Sequence, residues 1–440
     1  MPESIPKQPA KDLHAHVHAT RRAARALARL SGSERNSILL RAADFITARS
    51  AEILAANLRD CEAFAASGDV SQALAKRLKT SEGGVKEMAR RVRDVAALDD
   101  PLGSVLATTE LDEGLILQKA PCPLGVIAVI FESRPDVIPQ VASLAIKTGN
   151  GLVLKGGVEA KLTNRVLAAI WRDALAAQSP ALPGALCLLE DRAEIMQVLE
   201  MEREIDLVVP RGSTEFVNFV FQHSRIPVLG HGSGICHIYV DRAADLSKAT
   251  SVILDSKTQY PAACNSAEKV LVHEDVARRF LPVLVTALQS AGVEVRGCTR
   301  TEQMCADLKI VPATTEDWHA EYSDLKIAIK VVRNLNEAIE HINEFGSRHT
   351  DCILTEDNAA AEQFLDEVDA ASVFQNASTR FADGFRYGLG AEIGISNSKL
   401  HARGPVGMEG LLTYKYRLRG RGQVVSSYAE GKRSFTHKKL

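Results

Sequence analysis

Gly125-Val126-Ile127-Ala128-Val129-Ile130, a helical pattern over Val137–Thr148, and then Gly151-Leu152-Val153-Leu154-Lys155 form the stretch that decides the fold class. The first and last runs are short, apolar and rich in β-branched residues, which suits strands buried on both faces. The alternation continues through a helix at Ala160–Ala177, a strand at Leu186–Leu189, a helix at Arg192–Glu200 and a strand at Leu207–Val209. Strands alternating with helices predict an α/β fold with a parallel, doubly wound sheet. Such sheets bind ligands at the carboxyl ends of their strands. Two of those ends stand out: Lys155-Gly156-Gly157, a cation beside two small residues, and Pro210-Arg211-Gly212-Ser213-Thr214, a turn opening a helix whose free N–H groups suit a phosphate.

Upstream, residues 11–97 carry Ala, Leu and Arg at three- and four-residue spacing, a helical pattern with Ser33 as the expected N-cap. His14, His16 and His18 lie two apart and share no helical face, so a frayed, solvated terminus is expected there rather than a metal site. Gly103–Pro123 reads as a projecting hairpin turning at Asp112-Glu113-Gly114. Its expected counterpart is Leu411–Val425, where Leu412, Tyr414 and Tyr416 alternate with Lys415, Arg417 and Arg419. Subunit pairing through these segments, and hence a homo-oligomer, is expected. A nucleic-acid role for the basic face lacks both an aromatic platform and overall positive charge. Residues 431–440 read as a loose tail.

The 440 residues allow two or three domains, and the net charge is only −2. No apolar run approaches the roughly 18 residues of a membrane span, and Met1-Pro2-Glu3-Ser4 has no apolar segment behind it of the signal-peptide kind. The eight cysteines, at 61, 122, 187, 236, 264, 298, 305 and 352, form neither C-x-x-C pairs nor a disulfide framework. A reducing, cytoplasmic setting without membrane attachment or bound metal follows. One cysteine is placed for chemistry. Cys264 lies in Ser256-Lys-Thr-Gln-Tyr-Pro-Ala-Ala-Cys-Asn-Ser-Ala-Glu268, after an expected helix at Asp245–Asp255 and before a strand at Lys269–His273. Its small neighbours Ala262, Ala263 and Ser266 leave room for a substrate carbonyl, while a buried structural thiol is the alternative.

Taken in order and spacing, Val126–Phe131, Thr148-Gly149-Asn150, Lys155-Gly156-Gly157, Arg211-Gly212-Ser213, Gly230-His231-Gly232-Ser233-Gly234 and the Cys264 loop resemble the aldehyde dehydrogenase superfamily. More narrowly, Phe131-Glu132-Ser133-Arg134-Pro135, His349-Thr350-Asp351 and His401-Ala402-Arg403-Gly404-Pro405 resemble its gamma-glutamyl phosphate reductase family. The resemblance covers nearly the whole chain. It implies two doubly wound parallel-sheet domains plus a small β oligomerisation element: residues 1–104 and 120–256 for NADP, 257–405 for catalysis, and 105–119 with 406–430 for assembly. It implies NADPH-dependent reduction of L-glutamyl 5-phosphate to L-glutamate 5-semialdehyde, the second step of proline biosynthesis from glutamate. A glutamate kinase is an implied partner, since the acyl phosphate is labile.

The resemblance also implies roles. Cys264 is the nucleophile. Lys155 holds the adenosine ribose, Gly212 and Ser213 the pyrophosphate, and Glu321 the nicotinamide ribose. Glu132, Ser133, Arg134, Arg380 and Arg403 are candidates for the substrate's charged groups, and His231, His349 and Thr350 for phosphate. Val158 stands where NAD-preferring members carry a glutamate, which favours NADP. The water-activating glutamate of hydrolytic members is absent from His231-Gly232-Ser233-Gly234, and the family's asparagine oxyanion donor is absent near Ser133 and Arg134. A coenzyme A-acylating dehydrogenase would share the first absence, and a catalytically silent scaffold would share the fold.

Overall fold

The computed structural model describes residues 13–67, 75 and 77–440, which form two units. Residues 1–12, 68–74 and 76 of the expected helical stretch, and the N-terminal Met1-Pro2-Glu3-Ser4, lie outside the described residues.

The first unit runs to Leu229 and takes back Leu389–Gly394 and Val406–Leu440. Its strands are β1 (Ala107–Asp112), β2 (Leu115–Pro123), β3 (Val126–Phe131), β4 (Gly151–Lys155), β5 (Leu186–Leu189) and β6 (Leu207–Arg211). The last four make a parallel sheet in the order β5-β4-β3-β6, with crossover helices Val137–Lys147, Lys161–Ala176 and Glu194–Leu199. Every residue of β3 is buried. Val126, Ala128 and Ile130 share a cluster with Leu13, Val17 and Ala24, which are four and seven residues apart on one face of the first helix, Leu13–Leu27. His14, His16 and His18 lie in that regular helix rather than a frayed end, because its apolar stripe anchors the first turn on the sheet. The second helix, Gly32–Ala48, is capped by Ser31 rather than Ser33, with Glu34 closing a capping box.

The hairpin β1-β2 pairs antiparallel, and β2 continues the sheet with Leu412–Arg419 of the same chain. Residues 431–440 are not a loose tail: Lys438–Lys439 pairs with β1, and Thr436 N–H donates to Leu111 O at 2.8 Å. An unpaired sheet edge offers hydrogen bonds that polar composition alone does not reveal.

The second unit comprises Gly230–Gly388 and Ile395–Pro405. Its boundary falls earlier than residue 257, because β7 (Cys236–Val240) pairs with β8 (Ala267–His273) and helix Leu246–Thr258 packs beside it. With β9 (Glu294–Gly297), β10 (Val311–Pro312), β11 (Lys326–Val332), β12 (Thr350–Leu354) and β13 (Ser372–Gln375), these make a seven-stranded parallel sheet ordered β10-β9-β11-β8-β7-β12-β13. Side chains alternate between two cores. Ile238, Val240, Val270 and Val272 meet Phe280 and Leu284 on one face, while Tyr239 and Leu271 meet Ile339 and Phe364 on the other.

Under the second face lies His341, almost fully buried, with its Nδ1 3.0 Å from Lys330 Nζ and its ring against His237 and Trp318. Burial, with His237 and Lys330 adding to it, pushes its pKa down from 6.5 to about 2. The unfolded chain protonates this group below its ordinary value and the folded chain does not, so its stability contribution is full above pH 6.5 and shrinks as pH falls. Between neutrality and about pH 5 this amounts to about 2 kcal/mol. Urea midpoints of wild type are expected to fall over that range more steeply than those of His341→Gln; parallel slopes would assign the acid sensitivity elsewhere.

Candidate active site

Cys264 closes the turn that leads from helix Leu246–Thr258 into β8. The hydroxyl of Ser266 bonds to Ser256 O at 3.1 Å, Asn265 Nδ2 donates to Ala382 O at 2.8 Å, and Ser256 Oγ meets Ser378 Oγ at 3.1 Å. The turn is therefore tied down on both sides of the cysteine. Ala263 and Ser266 N–H are paired within it, whereas Cys264 N–H has no acceptor among the described residues.

Two more loops enter adjacent strands at the same edge. β8, β7 and β12 are neighbours and parallel, so the residues preceding each gather at the sheet's amino end. His231 precedes β7 and His349 immediately precedes β12. A nitrogen of each and Cys264 Sγ lie within 4.8 Å of one another. The two rings meet edge to face at 5.0 Å between centroids. His231 Nδ1 is 2.9 Å from Ile395 O, a contact in which the ring must donate, and His349 Nδ1 is 2.9 Å from Thr350 Oγ1. Both Nε2 atoms are left uncommitted, and that of His349 is buried without a partner among the described residues.

Gly234 and Cys236 set the height of the cysteine. A Cβ on Gly234 would lie 2.0 Å from Cys264 O and 2.7 Å from its Cα. Cys236 Sγ donates to the same carbonyl at 3.3 Å, and burial pushes its thiol pKa well up. Neither residue is legible as functional in the sequence. The small-residue pattern of Gly232-Ser233-Gly234 was its only signal.

Behind the loop, Lys257 and Glu268 form an ion pair at 3.0 Å with both side chains fully buried. Burial raises Glu268 to about 7 against the pull of Lys257, and lowers Lys269 to about 8. Lys269 Nζ donates to Ala320 O at 2.6 Å, and Ser323 N–H donates to Glu268 at 3.2 Å, so the pair brackets the segment carrying Glu321. Charged residues buried this fully must find partners.

Among the other expected residues, Arg380 lies in this unit with its Nε on Gln259 at 2.9 Å and its guanidinium over Tyr260. Burial and then Arg386 lower its pKa, while Cys264 opposes the shift. Thr350 is buried beside His349. Arg403 instead grips Asp369 at 2.8 Å, with Lys399 and Arg348 on the same carboxylate. An acid with three basic neighbours ties these segments together.

In the first unit, Lys155 is buried, its Nζ donating to Gly156 O at 2.6 Å, and burial lowers its pKa. Ser133, at φ 37°, bonds through its N–H and hydroxyl to Glu159 at 2.7 and 2.5 Å. Ser213 caps helix Thr214–His223, but its N–H goes to Glu132 at 2.9 Å, and Gly212 lies against that carboxylate. Glu132 thus occupies the helix start where a pyrophosphate was expected. Arg134 is exposed and 3.4 Å from Asp136.

A partly buried thiol with two imidazoles at the edge of a parallel sheet points to a class. The chain belongs to the aldehyde dehydrogenase family, whose model matches residues 3–304. The gamma-glutamyl phosphate reductase of Synechococcus sp. (strain JA-3-3Ab) is 51% identical over 443 residues, covering 100% of this chain and 96% of that one. That of Cyanothece sp. (strain PCC 7425) is 52% identical, covering 96% and 97%. The crystal structure of the Thermotoga maritima gamma-glutamyl phosphate reductase is 42% identical with a TM-score of 0.91, covering 94% of this chain and 99% of that one. Within the family the chain falls in the gamma-glutamyl phosphate reductase branch, an oxidoreductase lineage. No described helix is long and apolar enough to cross a membrane.

Proposed function

We propose that the chain reduces L-glutamyl 5-phosphate to L-glutamate 5-semialdehyde with NADPH, releasing phosphate, in proline biosynthesis. The observation that carries this is the convergence of Cys264, His231 and His349 at one sheet edge. Cys264 Sγ attacks the acyl carbon, and an imidazole within reach takes the thiol proton. The carbon–oxygen bond to phosphate breaks and a thioester remains. NADPH, when bound, would supply the hydride that turns the Cys264 thioester into a thiohemiacetal. Its collapse returns the Cys264 thiolate and frees the aldehyde. The unpaired Cys264 N–H is suited to the oxyanion, and the histidines to the departing phosphate. Arg380, with its partly desolvated guanidinium, suits a substrate carboxylate.

The cofactor reading is NADP. Val158 is exposed where NAD-preferring members carry a ribose-holding glutamate, and its neighbour Glu159 is bonded to Ser133. Lys155 supplies a cation nearby. The helix start at Ser213 receives pyrophosphate only if Glu132 moves off its N–H. Glu321 serves the nicotinamide ribose. The exposed Tyr414, Tyr416 and Leu418 of the Leu412–Arg419 strand form the surface through which copies of the chain assemble. The acyl phosphate's lability favours delivery by a glutamate kinase.

The test is the reverse reaction, since the acyl phosphate cyclises readily. Glutamate semialdehyde should be oxidised with NADP in preference to NAD, and only when inorganic phosphate is present. Steady turnover without phosphate or any other acyl acceptor would point to a hydrolytic dehydrogenase, and coenzyme A replacing phosphate would point to an acylating one.

A further inference from the structure

Cys264, His231 and His349 also meet the description of a metal-binding set. One thiolate and two imidazoles are the donor types that hold Zn2+. Their ligand atoms lie within 4.8 Å of one another. Around one tetrahedral zinc, with bonds of about 2.0–2.3 Å, ligand atoms are about 3.3–3.8 Å apart, so side-chain movements of about 1 Å would close the set. The contacts of the two Nδ1 atoms favour it. His231 Nδ1 bonds Ile395 O at 2.9 Å and His349 Nδ1 contacts Thr350 Oγ1 at 2.9 Å, which leaves Nε2 of each ring as the ligand atom and supplies the outer partner that orients a metal-bound imidazole. His349 is 1% exposed and its Nε2 has no partner among the described residues. Imidazole lone pairs and a cysteine thiolate are the donors that a divalent ion takes.

We propose that these three residues form a reversible inhibitory site for Zn2+. On binding, Cys264 Sγ releases its proton to water and forms a sulfur–zinc bond, and each Nε2 donates its lone pair. The fourth position remains open to water. The metal removes the lone pair that would attack an acyl carbon, so the enzyme is silenced until a chelator withdraws the ion. This binding does not depend on which acyl phosphate is the substrate.

Full-length, reduced, metal-free protein should be titrated with Co2+ and then Zn2+. One Co2+ per chain is expected, with a thiolate-to-cobalt charge-transfer band that Zn2+ abolishes and Cys264→Ser lacks. His231→Asn and His349→Asn should each weaken Zn2+ by more than about tenfold, since even outer-shell partners contribute about 10–100-fold. Should the buried His349 variant fail to fold, the half-buried His231 variant carries the test alone. A charge-transfer band that persists in Cys264→Ser, or wild-type Zn2+ affinity in folded His231→Asn, overturns the proposal. Because the readout is spectroscopic, its failure leaves the reductase reading intact, and loss of that reading leaves the metal site intact.

Discussion

Cys264→Ala is expected to leave secondary structure and cooperative unfolding essentially unchanged while lowering turnover by about 10⁴-fold or more, the scale on which enzymes lose rate when a covalent nucleophile is removed. The side chain is only partly buried and its loop is held by other residues. Ser266 bonds Ser256 O, and Asn265 bonds Ala382 O. Losing the sulfur therefore costs little packing. The chemistry has no substitute within the turn: neighbouring Ala262 and Ala263 carry no nucleophile, and Cys236 is fully buried with its thiol pKa pushed well up. Circular dichroism and steady-state rates measured together separate the two effects. Comparable loss of fold and of activity would mean that Cys264 is chiefly structural.

Gly234→Ala should also be damaging, through position rather than chemistry. The added methyl would sit 2.0 Å from Cys264 O, 2.6 Å from its C and 2.7 Å from its Cα, all backbone atoms that cannot rotate away. Gly234 cannot retreat freely, since the next N–H, that of Ile235, donates to Ser347 Oγ at 2.7 Å. The Cys264 turn must shift by about 1 Å or more, and displacement of that size costs about 100-fold in rate. Overpacking adds a destabilisation of about 1–3 kcal/mol. Assays well below the unfolding transition should still show the rate deficit, with altered alkylation of Cys264 by iodoacetamide. A wild-type turnover number in Gly234→Ala would show that the loop adjusts without moving the sulfur.

The parallel sheet of the first unit was legible because Val126–Phe131 and Gly151–Lys155 are apolar, β-branched and spaced by a helical interval, and local pattern alone carries that information. Cys264 was legible through its small neighbours and through the resemblance. The resemblance put His231 and His349 at the phosphate, but their meeting with the sulfur was not legible. His231 and His349 are separated by more than a hundred positions, and only the order β8-β7-β12 brings their loops together. The general rule that ligands gather at carboxyl ends picks out Lys155 and Ser213, whereas Cys264, His231 and His349 gather at the amino edge of their sheet. Glu132 and Arg403 illustrate a second limit. Sequence gives a charge but not its counterpart, and here Ser213 N–H and Asp369 claim them. The Lys257–Glu268 pair was hidden because the two flank a loop, and nothing local says that both become fully buried.

Cys264 is expected to carry the acyl group as a thioester. Mixing wild-type protein with glutamate semialdehyde and NADP in the absence of phosphate, then quenching and digesting for mass spectrometry, tests it most directly. A single NADPH per active chain, followed by arrest, should coincide with a glutamyl adduct on Cys264, and adding phosphate should discharge the adduct and restore turnover. An adduct on another residue, or an undiminished NADPH burst in Cys264→Ala, would contradict the account.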